Sequence, residues 1–342
     1  MSTRAFITGV SGTNLTVVER EFIRAERPWG FILFRRNVEN PTQLISLIGE
    51  LRDAADAPDA PVLIDQEGGR VQRLGPPHWP IYPAGAVFGA LYDRDSHLGL
   101  KAARLGARLI AADLADLGIS VDCLPLADVP VAGADTVIGD RAYGAEPAKV
   151  AAIARAVADG LGQGGVLPVL KHIPGHGRAT ADTHFRLPTV DTPRDELERT
   201  DFAAFKPLSD LPMAMTAHVV FSAFDPAQPA TTSATMVEQA IRGVIGFQGL
   251  LMSDDVSMNA LTGTIGERTQ AILAAGCDMV LHCNGKIEEM REVASQTPEL
   301  SGKALQRAEW ALAMRAAPQP FDRVAGRAEL DALIARANTA SV

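Results

Sequence analysis

Cysteine is scarce in this sequence. Three occur in 342 residues, Cys123, Cys277 and Cys283, and no two stand in the C-x-x-C spacing of a zinc or redox motif. An odd, scattered set offers no disulfide framework, so the expectation is three reduced core thiols in a cytoplasmic chain. Long apolar runs are missing too: nowhere do about 18 consecutive apolar residues occur, which argues against a transmembrane helix. The segment leading to Val10 has a short apolar stretch but neither the h-region nor the small-residue cleavage site of a signal peptide, and it reads as a first strand. Basic residues are outnumbered, 32 Lys and Arg against 41 Asp and Glu, for a net charge of −9, and no basic stripe offsets the deficit. Such a chain suits phosphate backbones poorly, so nucleic acid is not an expected partner.

What is present is a globular composition, 47% hydrophobic and 21% charged, able to bury a large core. Short apolar runs alternate with longer amphipathic, Ala-rich stretches. Eight runs read as strands: 5–10, 30–34, 61–66, 120–126, 166–172, 213–219, 249–254 and 278–282. Helical segments between them include 41–53, 97–117, 147–163, 193–208, 233–245 and 259–275. Eight strand–helix units predict a single (β/α)8 TIM-type barrel over 1–342, with residues after about 285 closing it as terminal helices; a six-stranded doubly wound sheet is the lesser alternative. Charged residues follow the apolar runs, as in Ile64-Asp65-Gln66-Glu67, Leu170-Lys171-His172, Thr216-Ala217-His218 and Met252-Ser253-Asp254-Asp255. In a barrel these are the C-terminal strand ends, where active sites of this fold lie.

The densest polar segment runs from Lys171 and His172 through Pro174, Gly175, His176 and Gly177 to Asp182 and His184. Its Pro and Gly residues predict a loop. Asp182 and His184 are two apart, so in an extended stretch the carboxylate reaches the imidazole, fixes its tautomer and raises its basicity, which suits proton transfer near neutral pH. A second reading makes His172, His176, Asp182 and His184 metal ligands, although no zincin spacing is present and Lys171 adds positive charge beside them. Asp254 and Asp255 end an apolar strand. Neighbouring strand residues face opposite sides, so one is expected to face a ligand and the other to make structural bonds. Asp65, Gln66, Glu67, Arg70 and Arg73 surround a Gly-Gly turn with groups that pair with sugar hydroxyls, and Arg141 adds a donor after the fourth strand. The Gly-Gly spacing is neither a P-loop nor a dinucleotide fingerprint.

Taken together, Asp65-Gln66-Glu67-Gly68-Gly69-Arg70-Val71-Gln72-Arg73, Lys171-His172-Ile173-Pro174-Gly175-His176-Gly177 through Asp182-Thr183-His184, and Ser253-Asp254-Asp255 resemble family three glycoside hydrolases, most closely the bacterial β-N-acetylglucosaminidases of peptidoglycan recycling. Phe31-Ile32-Leu33-Phe34, Ala217-His218-Val219 and Gly276-Cys277-Asp278-Met279 extend the likeness nearly end to end, and Ile173 and Val256 depart from it only by apolar exchange. The resemblance implies a retaining enzyme without cofactor or metal, acting as a cytoplasmic monomer on GlcNAc-terminated muropeptides. It makes Asp254 the nucleophile and Asp182 with His184 the acid/base pair, and it assigns the terminal sugar to Asp65, Arg73, Arg141, Lys171 and His172. A second sandwich domain is not expected. Four readings compete: a β-glucosidase-type enzyme of the same class, a substrate-assisted mechanism using Asp254 and Asp255, metal-dependent hydrolysis through the 172–184 cluster, and sugar binding without cleavage.

Overall fold

The computed structural model describes residues 3–183 and 185–338. Within them eight parallel strands close into a barrel: β1 Arg4–Thr8, β2 Pro28–Leu33, β3 Val62–Ile64, β4 Val121–Asp122, β5 Leu167–Ile173, β6 Met213–Thr216, β7 Leu250–Asp255 and β8 Met279–His282. Each pairs with its neighbour in sequence, and β8 closes on β1 with Phe6 opposite Val280 and Ile7 opposite Leu281. These are the eight runs expected, with ends displaced by up to four residues. The largest displacement, at the end of β4, falls where Pro125 removes a ladder donor.

Period-two alternation builds two cores from one set of strands. Ile7, Ile32, Leu63, Val121, Val169, Met215, Met252 and Leu281 fill the barrel interior. Their neighbours Phe6, Phe31, Val62, Leu170, Ala214, Leu251 and Val280 pack outward with the helices. Because both faces are buried, the strands read as continuous apolar runs.

Two of the expected helices are corrected. The segment 193–208 is three short pieces, Arg194–Arg199, Asp201–Phe205 and a 3-10 turn Lys206–Leu208. The break falls at Thr200, whose hydroxyl lies 2.7 Å from the Glu196 carbonyl and 2.8 Å from the Asp201 carboxylate and so competes with the helix ladder. The helix expected over 259–275 starts only at Ile265, where Thr264 and Glu267 form a capping box. Two further helices, Val17–Glu26 and Gly85–Arg94, were not among the segments read from the sequence.

After Gly285 the chain forms the helices Ile287–Gln296, Gly302–Ala313 and Arg323–Asn338. Leu300, Ala308 and Ala311 join the interior core and close the N-terminal end of the barrel, where Arg307 pairs with Asp278 at 2.8 Å. The last helix buries Leu330 and Leu333 and packs against helix Ser96–Leu117. The architecture is a (β/α)8 barrel with a C-terminal helical cap. Among the described residues no helix is long and apolar enough to cross a membrane.

Candidate active site

With one end of the barrel capped, the C-terminal strand ends open on a cavity of about 330 Å³ floored by Ile32, Met215 and Leu281. Asp65, Arg73, Arg141, Lys171, His172, Asp182 and Asp254 all line it. The remaining candidate from the sequence, His184, lies outside the described residues.

Asp65 follows β3, and Lys171 lies within β5 with its side chain almost fully buried. Lys171 Nζ is 2.9 Å from Asp65 Oδ1 and 2.7 Å from Glu67 Oε1. Arg73 takes the second oxygen of Asp65 at 2.9 Å. Arg141 grips Glu67 in a fork, Nε at 2.9 Å and Nη2 at 2.8 Å. Its loop reaches that position because helix Gly85–Arg94 packs tightly beneath: a Cβ on Gly85 would stand 2.1 Å from the Arg141 carbonyl oxygen. Burial opposes the charge on Glu67, but Lys171 and Arg141 outweigh it and hold the carboxyl at about 2. Burial likewise opposes Asp65, which Lys171 and Arg73 hold well below the usual carboxylate range. Lys171 is raised in turn, its desolvation overcome by Asp65 and Glu67. The result is a rigid set of alternating charges whose free donors and acceptors suit a polyhydroxylated ligand.

His172 is oriented by Asp128, a residue that the sequence reading did not single out. Asp128 Oδ2 lies 2.7 Å from His172 Nδ1, and Oδ1 accepts the His176 backbone N–H at 2.6 Å. The loop after β5 packs against the chain beyond Asp128 so closely that a Cβ on Gly177 would stand 2.0 Å from the Val129 carbonyl oxygen. His176 also lines the cavity, and burial together with its neighbour His172 pushes its ring down to about 4, so it is neutral at pH 7.

At the end of β7 both adjacent aspartates line the cavity, but their bonding differs. Asp255 makes structural bonds: it accepts from Ser257 N at 3.0 Å, Ser257 Oγ at 2.6 Å and Cys283 N at 3.1 Å. Asp254 is partly buried and accepts the Asp255 N–H at 2.8 Å. Burial works against its charge, yet His218 and His172 hold the carboxyl below its ordinary value. Asp254 is therefore an anion at neutral pH inside the cavity.

Asp182 reaches the cavity from the loop after β5, and its expected pairing with His184 lies outside the described residues. Its carbonyl accepts Phe185 N at 3.0 Å and Arg186 N at 3.2 Å, the bonding of a turn. The Thr183 carbonyl accepts Ala260 N at 3.2 Å, which ties this loop to the one after β7. Among the described residues no three His, Cys, Asp or Glu side chains form a group able to hold a metal ion. Cys123 and Cys277 are buried as expected, whereas Cys283 lines the cavity and is not a core thiol.

Glu67 and Asp128 are the site residues that sequence reasoning underrated. Glu67 stood in a motif read for sugar hydroxyls, but its ion pairs with Lys171 and Arg141 were not foreseen. Asp128 carries no local signal, because its partner His172 is 44 positions away.

Comparison with known proteins adds a separate line. A model of the glycosyl hydrolase family 3 N-terminal domain matches residues 8–309. A protein from Bordetella avium named beta-hexosaminidase is 37% identical over 295 residues, covering 84% of this chain and 83% of that one. The crystal structure of NagZ from Neisseria gonorrhoeae, in complex with N-trifluoroacetyl-D-glucosamine, superimposes with a TM-score of 0.84 at 32% identity and covers 100% of this chain and 99% of that one. A glycoside hydrolase family 3 beta-N-acetylglucosaminidase from a Paenibacillus species gives a TM-score of 0.83 at 28% identity over 97% of this chain, which spans 66% of that enzyme.

Proposed function

The chain belongs to glycosyl hydrolase family 3, and from that premise we propose that it is an exo-acting, retaining β-N-acetylglucosaminidase. Its substrates are GlcNAc-terminated muropeptide fragments, GlcNAc-1,6-anhydro-MurNAc and its peptides, met in the cytoplasm during cell-wall recycling. The observation that carries the reading is an ionised carboxylate, Asp254, that no Lys or Arg ion pair engages among the described residues, in a polar cavity shared with Asp182. Support for the substrate comes from the relative that holds an N-acylated glucosamine.

In this mechanism Asp65, Arg73, Arg141, Lys171 and His172 bind the terminal sugar through its hydroxyls. Asp254 attacks the anomeric carbon, the glycosidic C–O bond breaks, and the leaving oxygen takes a proton from His184, which Asp182 orients. Water then attacks the same carbon from the face the leaving group vacated and gives its proton to His184. Asp254 departs as carboxylate and the sugar leaves with the β configuration.

Substrate assistance by Asp254 and Asp255 is disfavoured, since the Asp255 carboxylate is already engaged by Ser257 and the Cys283 amide. The deciding experiment is trapping: a 2-fluoro or 5-fluoro glycoside with a good leaving group leaves a mass adduct that peptide mapping places on Asp254. An α-configured first product, or an oxazoline with no protein adduct, would overturn it. In a panel of chromogenic glycosides, N-acetylglucosaminides are expected to exceed glucosides by a wide margin, with activity unaffected by a chelator.

A further inference from the structure

The helix break at Thr200 and the charges around it have no part in the reading above. Thr200 leaves the helical region, with φ −116° and ψ −84°, between the helices Arg194–Arg199 and Asp201–Phe205. In an unbroken helix adjacent side chains point about 100° apart. The break lets the Thr200 hydroxyl and the Asp201 carboxylate converge on one guanidinium, that of Arg178 in the loop after β5. Arg178 Nε donates to Asp201 Oδ2 at 2.6 Å and Nη2 to Thr200 Oγ1 at 3.0 Å, and Nη2 also stands 3.0 Å from Glu196 Oε1. This clasp is sheltered, with 14% of the Arg178 side chain and 2% of the Asp201 side chain exposed. It is seated on the core, since Leu197, Phe202 and Phe205 on either side of the break are buried. Gly175 leaves room for it: its φ is 142°, and a Cβ there would stand 3.3 Å from Asp201 Cβ. Burial raises the Asp201 carboxyl above its ordinary value, and Arg178 is the strongest group opposing the rise.

We propose that Arg178 is a positioning residue: its clasp on Thr200 and Asp201 anchors the loop that carries Asp182 to the outer helices, and so sets where the proton donor stands over the cavity. Other attachments of the same loop run to neighbouring loops. The Ala179 carbonyl accepts Asp135 N at 2.8 Å, and the Thr183 carbonyl accepts Ala260 N at 3.2 Å. Arg178 ties the loop instead to helices packed on the barrel, four residues before Asp182, a reach of at most about 14 Å even when fully extended. A shift at the anchor is therefore felt at the cavity. The catalytic consequence rests on the reading of Asp182 and His184 as the acid/base pair, for which a misplacement of about 1 Å costs on the order of a hundredfold in rate.

The test uses the full chain and a series of aryl N-acetyl-β-glucosaminides whose leaving phenols are graded in pKa. When the donor is poorly placed, kcat/KM depends more steeply on the leaving group. Arg178→Met is expected to steepen that dependence, with kcat/KM down about tenfold on the poorest leaving group and less than about twofold on the best. A merely structural role would lower all substrates alike and leave the slope unchanged. Asp201→Asn opens the clasp from its other end; it is expected to steepen the slope in the same way, with the double variant no worse than the singles, and it carries the test where Arg178→Met does not fold. In hydrogen exchange the amides of 179–183 are expected to lose protection about tenfold in both variants while those of β5 keep theirs. A folded variant with the wild-type slope, or with wild-type protection at 179–183, overturns the proposal. His184→Ala tells the two readings apart: a slope steepened there but not in Arg178→Met sinks this proposal alone, whereas a slope unmoved in His184→Ala sinks the acid/base reading and the proposal with it.

Discussion

Asp128 Oδ2 stands 2.7 Å from His172 Nδ1 with both groups buried, so the anion fixes the proton on Nδ1 and leaves the other ring nitrogen for a ligand. Burial opposes the Asp128 charge, and His172 and His176 overcome it, holding the carboxyl below its ordinary value. This geometry predicts a binding defect when the anion is removed. Asp128→Asn is expected to lower kcat/KM roughly 10- to 100-fold, the equivalent of about 1.5–3 kcal/mol for a hydrogen bond to a charged group. Most of the loss should fall in KM and in the Kd of an N-acylglucosamine. An unchanged KM would show that His172 does not contact the sugar.

Glu67 shares Lys171 with Asp65 and holds Arg141 in a fork, with only 5% of its own side chain exposed. Removing it leaves two nearly buried cations short of a partner, so Glu67→Ala is expected to destabilise the fold by about 3–5 kcal/mol in urea denaturation. The exposed pair Arg199 with Asp195 is the control, since both side chains are more than half in solvent. Breaking that pair should change stability by less than about 0.5 kcal/mol.

Two titrations with different windows contribute to the acid side of the stability curve, alongside the lowered Asp65, Asp128, Asp254 and His282. Glu67 is held at about 2 against an ordinary 4.5, so its contribution is fully present above pH 4.5 and drains away as pH falls toward 2. His176 is lowered to about 4 from 6.5, which means the unfolded chain binds its proton first, and stability falls as pH drops from 6.5 to 4. Chemical denaturation across pH 3–8 should therefore show stability already declining below pH 6.5. His176→Gln should make the decline in the upper window shallower, the remainder coming from His282, and leave the lower window in place.

How much of this was legible in the sequence depends on how far apart the partners lie. The eight strands could be read because burial on both faces makes each a short continuous apolar run. The helix over 193–208 could not be placed correctly, because the break comes from one hydroxyl, that of Thr200, bonding locally. Candidate residues supplied by single segments, such as Asp254 at the end of β7, were visible as polar groups closing an apolar run. Their pairings were not: Lys171 meets Asp65 across 106 positions, and only barrel closure brings them together. For the same reason Glu67 and Asp128 gain meaning only from the partners that the fold delivers.

The last prediction concerns Asp182, which lines the same cavity as Asp254, Asp65 and Lys171. If it orients His184 and supplies a negative charge beside it, Asp182→Asn removes what stabilises the protonated imidazole. The ring's pKa then falls, and the alkaline limb of kcat, which reports the proton donor in the complex, moves to lower pH. A leaving group that departs without help needs little protonation, so the first step on an activated aryl glycoside should suffer less than the reaction on natural fragments. His184→Ala is expected to lose most of its rate on fragments while still forming the Asp254 adduct from an activated fluoro-sugar, because bond formation at carbon one does not pass through the histidine. Steady-state pH profiles and a leaving-group series for the two variants check this. Equal losses on good and poor leaving groups, with an unmoved alkaline limb in Asp182→Asn, would mean that the proton comes from elsewhere in the cavity.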